Sequence, residues 1–190
     1  MTLKNQFLIA TPAMQDPFFK KSVIYICEHN ESGASGLIIN HPIRCPLAFV
    51  FEQMDIEITV PALGEANLMI GGPVHQEHGF VMHRDTGERW RSSLKMQNGL
   101  CVTTSQDILK AIAVGNGPKS MLFVLGYSSW DAGQIEQELI QDDVWWTYPA
   151  DDCSLLFDVP VEKRWETLML KIGVNVNSNV NQYISNIGHA

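Results

Sequence analysis

The run Ser22 to His29 constrains the fold of this chain more than any other stretch. Successive side chains of a strand point to opposite faces, and here both faces are apolar: Val23, Tyr25 and Cys27 on one, Ile24 and Ile26 on the other. Such a strand has no side to show to water, so it belongs in the middle of a sheet with cover above and below. Phe7 to Ala10 reads as a strand ahead of it. Behind it, Asn30-Glu31-Ser32-Gly33 supplies turn residues, and Gly36 to Asn40 forms a third strand that returns as a hairpin partner before Pro42 stops it.

The rest of the chain alternates groups of strands with helices. Pro46 suits a first helical turn, and Leu47, Val50, Phe51 and Met54 follow on one face. Leu68 to Ile70, Gly79 to Arg84, Arg89 to Met96 and Leu100 to Thr103 read as an antiparallel meander with turns at Thr86-Gly87 and Asn98-Gly99. Ser105 is placed to cap a helix that carries Asp107 in its first turn and buries Ile108, Leu109 and Ile112. Met121 to Leu125 is another strand apolar on both faces, and Gly133 to Asp143 and Val161 to Ile172 are further helices. In the tail from 174 to 190, Val180, Tyr183, Ile184 and Ile187 keep helical spacing in an asparagine-rich segment, a weak terminal helix. Grouped strands imply α+β: a single compact domain over residues 1–190, with a largely antiparallel or mixed sheet or sheets, barrel-like closure among the alternatives, flanked by about four helices.

Composition narrows the function. A chain of 190 residues with 45% hydrophobic content suits one core. No run approaches the roughly 18 apolar residues of a membrane span, and the first ten residues have no leader pattern, so a cytoplasmic protein without membrane contact is expected. Cys27, Cys45, Cys101 and Cys153 are far apart and read as free thiols. Residues 1–95 carry 8 basic and 10 acidic side chains and residues 96–190 carry 5 and 11. A net charge of −8 argues against a nucleic-acid partner, because that affinity rests on neutralising phosphates with Lys and Arg.

Six blocks carry a resemblance: CEHNESGASGLIINHP at Cys27 to Pro42, GGPVHQEHGFVMH at Gly71 to His83, TTSQDIL at Thr103 to Leu109, LGYSSWDAGQIEQE at Leu125 to Glu138, LLFDVPVEKRW at Leu155 to Trp165, and Gly188-His189-Ala190. In this order, across nearly the whole chain, they resemble the bacterial YqgE/AlgH family. The resemblance implies a single α+β domain, a cytoplasmic location and no established biochemical activity. A transcriptional-regulator role is implied by the AlgH name alone, and no DNA-binding motif is visible. His41 stands where the family usually has Arg or Lys, and Ser129 where it has Gly; a role needing a permanent cation after Asn40 does not transfer.

Reaction chemistry finds little purchase. His75, His78 and His83 with Glu77 and Asp85 suggest a metal site, yet parity along an extended Gly79 to Arg84 separates His83 from His78, so no metal and no cofactor is expected. Gly126-Tyr127-Ser128-Ser129 lacks the second glycine of a nucleophile elbow. Glu28 and His29 are strand neighbours on opposite faces, a poor acid/base pair. Gly71-Gly72-Pro73 leads into a strand, not into a helix that could hold phosphate. No catalytic residue is assigned. The expected ligand or partner surface comprises Glu28, His29, Asn30, Asn40, Gly71, Gly72, Pro73, Tyr127, Trp130, Gly133 and Gln134, serving a non-enzymatic regulatory or interaction protein. The alternatives are a small-molecule or nucleotide binder at the same place, and a hydrolase or nucleic-acid-processing factor. The identity of a protein partner or small molecule and the oligomeric state are not encoded in any motif.

Overall fold

The computed structural model describes residues 2–64 and 66–174; the terminal helical stripe at 180–187 lies outside them. Among the described residues ten strands are formed: β1 Gln6–Ala10, β2 Val23–Asn30, β3 Gly33–Ile38, β4 Pro42–Pro46, β5 Asn67–Ile70, β6 Val74–Arg84, β7 Ser93–Lys95, β8 Leu100–Thr103, β9 Met121–Asp131 and β10 Trp145–Pro149. The α-helices are α1 Leu47–Gln53, α2 Pro61–Gly64, α3 Gln106–Ala113, α4 Gln134–Ile140, α5 Ser154–Phe157 and α6 Arg164–Lys171, the last entered through a 3-10 turn at Val161–Lys163.

The strands run β10-β1-β2-β3-β9-β6-β8-β7 across one sheet, antiparallel at every step. β5 lies parallel to β9 and antiparallel to β4. The architecture is a mixed α+β domain in which the sheet curls into a half-barrel. Strand β9 is its spine, with residues 123–125 against β5 and 128–131 against β3 on one side, and β6 along the other.

Alternation along these strands builds three cores. Tyr25, Leu37, Met82, Leu100 and Val124 fill the concave side, where Leu155 and Leu156 of α5 and Trp165, Leu168 and Met169 of α6 close one end. The Trp165 indole also donates to the Ala10 carbonyl (2.8 Å), which fixes α6 on β1. On the convex side, Leu8, Ile24, Ile26 and Ile38 pack under Ile135 of α4. Leu68, Val81 and Phe123 pack under Leu47 and Phe51 of α1 and Ile108 and Ile112 of α3. Each such side chain contributes about 1.5–3 kcal/mol when fully buried, so strand β2, apolar on both faces, is central as its sequence demands.

Several sequence expectations are corrected. The predicted meander places the Arg89–Met96 strand between its neighbours in sequence. In the structure only Ser93–Lys95 is extended, and it sits outside β8 as the sheet edge. Gly126 to Ser129, expected to link a strand to a helix, continues β9: Gly126 takes φ +70° in a bulge and the strand resumes to Asp131. Ser105 precedes α3 without capping it; its hydroxyl instead accepts the Ser92 N–H (3.1 Å). Four-residue helices α2 and α5 add to the four expected, being too short for periodicity to reveal.

Candidate functional site

α5 and α6 fill only one end of the half-barrel. At the other, a cleft of about 620 Å³ opens over Leu37, Phe80, Val102 and Tyr127, walled by Glu28 and Ser35 on one side and by Ser92, Ser93, Leu94 and Thr104 on the other. A bulge in β2 shapes it. Ile26 faces Gly36 and Glu28 faces Ser35, which leaves Cys27 as the extra residue. A bulge places two consecutive side chains against one of the partner strand, so Cys27 and Glu28 both lie on the cleft side, while His29, opposite Ala34, is turned to the convex face. Burial, and after it the Glu28 carboxylate, pushes the Cys27 thiol up to about 12. At neutral pH it is therefore a protonated wall residue, since only the thiolate is nucleophilic.

His29 belongs to a second network. Its Nδ1 accepts the Leu3 N–H (2.9 Å), which leaves the proton on Nε2, donated to Glu136 Oε1 at 2.7 Å. The Glu136 carboxyl is held below the usual carboxylate range, chiefly by its own backbone N–H near the start of α4 and then by His29. Four residues away from Gln134, Glu138 accepts from the Trp130 indole (3.0 Å), the Trp145 indole (2.8 Å) and the Gln134 amide (2.9 Å). Gly133, at φ +78°, precedes that helix. Trp130 is 6% exposed and packs edge-on against Trp145. The carboxylate thus ties α4 to β9 and β10.

The remaining predicted residues hold turns. Asn40 accepts the Val23 N–H (2.8 Å) and donates to the Lys21 carbonyl (2.8 Å). Asn30 accepts the Ser32 N–H at the hairpin tip (2.8 Å). The Gly71 carbonyl accepts the Ile38 N–H (2.9 Å) and the Ser128 hydroxyl (3.2 Å), so Ser128, 1% exposed, is a structural serine. A Cβ on Gly72 would lie 2.1 Å from the Tyr127 carbonyl carbon and oxygen, which shows how closely this segment crosses β9. Pro73 is exposed beside it. The expected single surface is therefore divided: Glu28 and Tyr127 line the cleft, His29, Trp130, Gly133 and Gln134 meet at α4 on the opposite face, and Asn30, Asn40, Gly71, Gly72 and Pro73 shape the backbone.

Of the histidines, His83 is buried; its Nδ1 donates to the Arg84 carbonyl (3.0 Å) and its Nε2 accepts from Thr103 (2.9 Å). Burial lowers its pKa, as it lowers that of His41. His75, Glu77 and His78 are drawn together on the exposed segment of β6. Sequence reasoning missed Ser35, Phe80, Glu138 and Arg164. The i, i+4 spacing of Gln134 and Glu138 was the one readable signal. Arg164 is 4% exposed and donates to the carbonyls of Ile39, Leu156 and Val159.

This architecture recurs in known proteins. A family model described as AlgH-like (DUF179) matches residues 7–177. UPF0301 protein lpl0620 of Legionella pneumophila (strain Lens) is 47% identical over 192 residues, spanning 100% of this chain and 97% of the relative. UPF0301 protein Tgr7_2910 of Thioalkalivibrio sulfidiphilus is 49% identical over 173 residues, 91% of each chain. The solution structure of the AlgH protein from Pseudomonas aeruginosa superposes with a TM-score of 0.79 at 42% identity, covering 100% of this chain and 97% of that one. None of these names carries a reaction or a ligand. With the sequence blocks, the half-barrel and near full-length matches in agreement, the chain belongs to the bacterial YqgE/AlgH family, whose biochemical activity is not established.

Proposed function

We propose that the chain is a non-enzymatic binding protein of the bacterial cytoplasm that acts by holding a small neutral or cationic amphipathic molecule in the open end of its half-barrel. One observation carries the reading: the cleft has an apolar floor, a rim of hydroxyls and one carboxylate, Glu28, with no lysine or arginine among the described residues that line it. Such a lining rewards an apolar body with a hydrogen-bonding or positive group and disfavours phosphate. That argues against nucleotide as the occupant. The protonated Cys27 and the committed hydroxyl of Ser128 support binding over covalent chemistry. The free cysteines, three of them buried, support a reducing compartment.

The test is an amide-shift titration of isotopically labelled protein with matched sets of small aromatic amines and aromatic carboxylates. The amines should perturb Cys27, Glu28, Ser35, Leu37 and Tyr127, Glu28→Gln should erase the preference for them, and Ser35→Phe should block binding. Absence of perturbation at these residues, or equal binding of the carboxylates, refutes the reading.

A further inference from the structure

β6 does not pair evenly with β9. Val74 faces Tyr127 and Gly79 faces Leu125, so the four residues between them bulge out of the ladder. Within this segment His75 takes φ +45°, a left-handed conformation that costs a non-glycine residue of order 1–3 kcal/mol and clusters at ligand clamps and switch regions. The extrusion cancels strand parity: His75 and His78 would point to opposite faces of a regular strand, yet their rings stack at 4.9 Å with planes 14° apart. Tyr127 also stacks with His75, at 6.0 Å with planes 22° apart.

Glu77 completes the group. Its Oε1 lies 3.0 Å from His75 Nδ1 and 3.7 Å from His78 Nε2, and the three ligand atoms all fall within 4.8 Å of one another. Two ligands about 2.1 Å from one ion, at right-angled to tetrahedral geometry, stand roughly 3.0–3.4 Å apart. The His75–Glu77 pair already meets that spacing. His78 Nε2 stands only slightly outside it, at 3.7 Å from the same oxygen, and all three side chains are more than half exposed, at 55%, 69% and 60%.

We infer that His75, Glu77 and His78 form a surface site for one borderline divalent transition cation, of the zinc, nickel or copper class. Two imidazoles and a carboxylate select such ions over magnesium or calcium, which prefer all-oxygen shells. Three protein ligands leave the outward positions to water. The expectation of no metal, drawn from the pairing of His78 with His83, is revised here because the bulge recruits His75 instead. The site adjoins Tyr127, which also lines the cleft, and does not depend on the cleft having an occupant.

The experiment uses the full, tag-free chain and Ni²⁺ alone. Calorimetry should give a single tight equivalent, and paramagnetic broadening of amide signals should centre on residues 74–79 and Tyr127. His75→Ala and His78→Ala should each weaken binding by at least about tenfold, and Glu77→Gln by less, with the folded amide spectrum otherwise unchanged. Lack of binding, broadening centred elsewhere, or affinity unaltered in His78→Ala overturns the site.

Discussion

Arg164 offers the sharpest test of how the half-barrel is closed. Arg164 is 4% exposed and has no carboxylate partner among the described residues; its guanidinium donates to three backbone carbonyls, Ile39 after β3, Leu156 in α5 and Val159 before α6. Burial lowers its pKa to about 10, a shift that corresponds to about 3 kcal/mol of charge desolvation. Three hydrogen bonds from a charged donor, at about 1.5 kcal/mol each, contribute about 4–5 kcal/mol. The bonds therefore win by about 1–2 kcal/mol, the loss expected for Arg164→Met, which restores the volume of the stem but no donors. Arg164→Ala also forfeits the packing of that stem, for a loss of about 3–4 kcal/mol. With a urea slope near 2 kcal/mol/M, the midpoint should fall by about 0.5–1 M for Met and about 1.5–2 M for Ala, at unchanged slope. If the Met variant matches or exceeds the parent, desolvation outweighs the carbonyl bonds, as happens for some buried ions, and Arg164 is not what joins α5 and α6 to β3.

Glu138→Ala strands two indole N–H groups, so thermal or urea unfolding should register a loss of about 2–4 kcal/mol, whereas Glu138→Gln, which keeps one acceptor, should lose about 1 kcal/mol; equal losses would sink the assigned network. Gly72→Ala sets a methyl group against the Tyr127 and Ser128 backbone at 2.1–2.2 Å, which should cost about 3 kcal/mol or more, and a neutral result would mean the crossing is looser than described. The pH dependence follows from His83 and His41, whose folded pKa values lie below the unfolded value near 6.5. Above about pH 6.5 their contribution is constant. As pH falls below it the unfolded chain takes up protons first, so stability is lost until the folded values are passed. Urea midpoints at about pH 7.5 and 5.5 should differ less in His83→Gln than in the parent, and an unchanged difference removes His83 from the account.

The fold was legible where burial dictates pattern. Val23 to Cys27 could only be a central strand, and α1, α3 and α6 announced themselves through Leu47 and Phe51, Ile108 and Ile112, and Trp165 and Leu168, which the structure buries. Breaks in pattern were not legible. The extra residue Cys27 in β2, the continuation of β9 through Gly126 and the extruded His75 to His78 depend on which strands pair, and no local propensity carries that information. The site followed the same division: residue types single out candidates along the chain, but the face each one serves is set by bulges that parity reasoning cannot see.

The irregularity at Cys27 also sorts like charges. Were β2 flattened to strict alternation with its sequence intact, Glu28 would swing to the α4 side, crowding a third carboxylate in with Glu136 and Glu138, and the imidazole would be delivered to the opposite mouth. One surplus residue thus keeps acid away from acid, and gives the cleft its carboxylate.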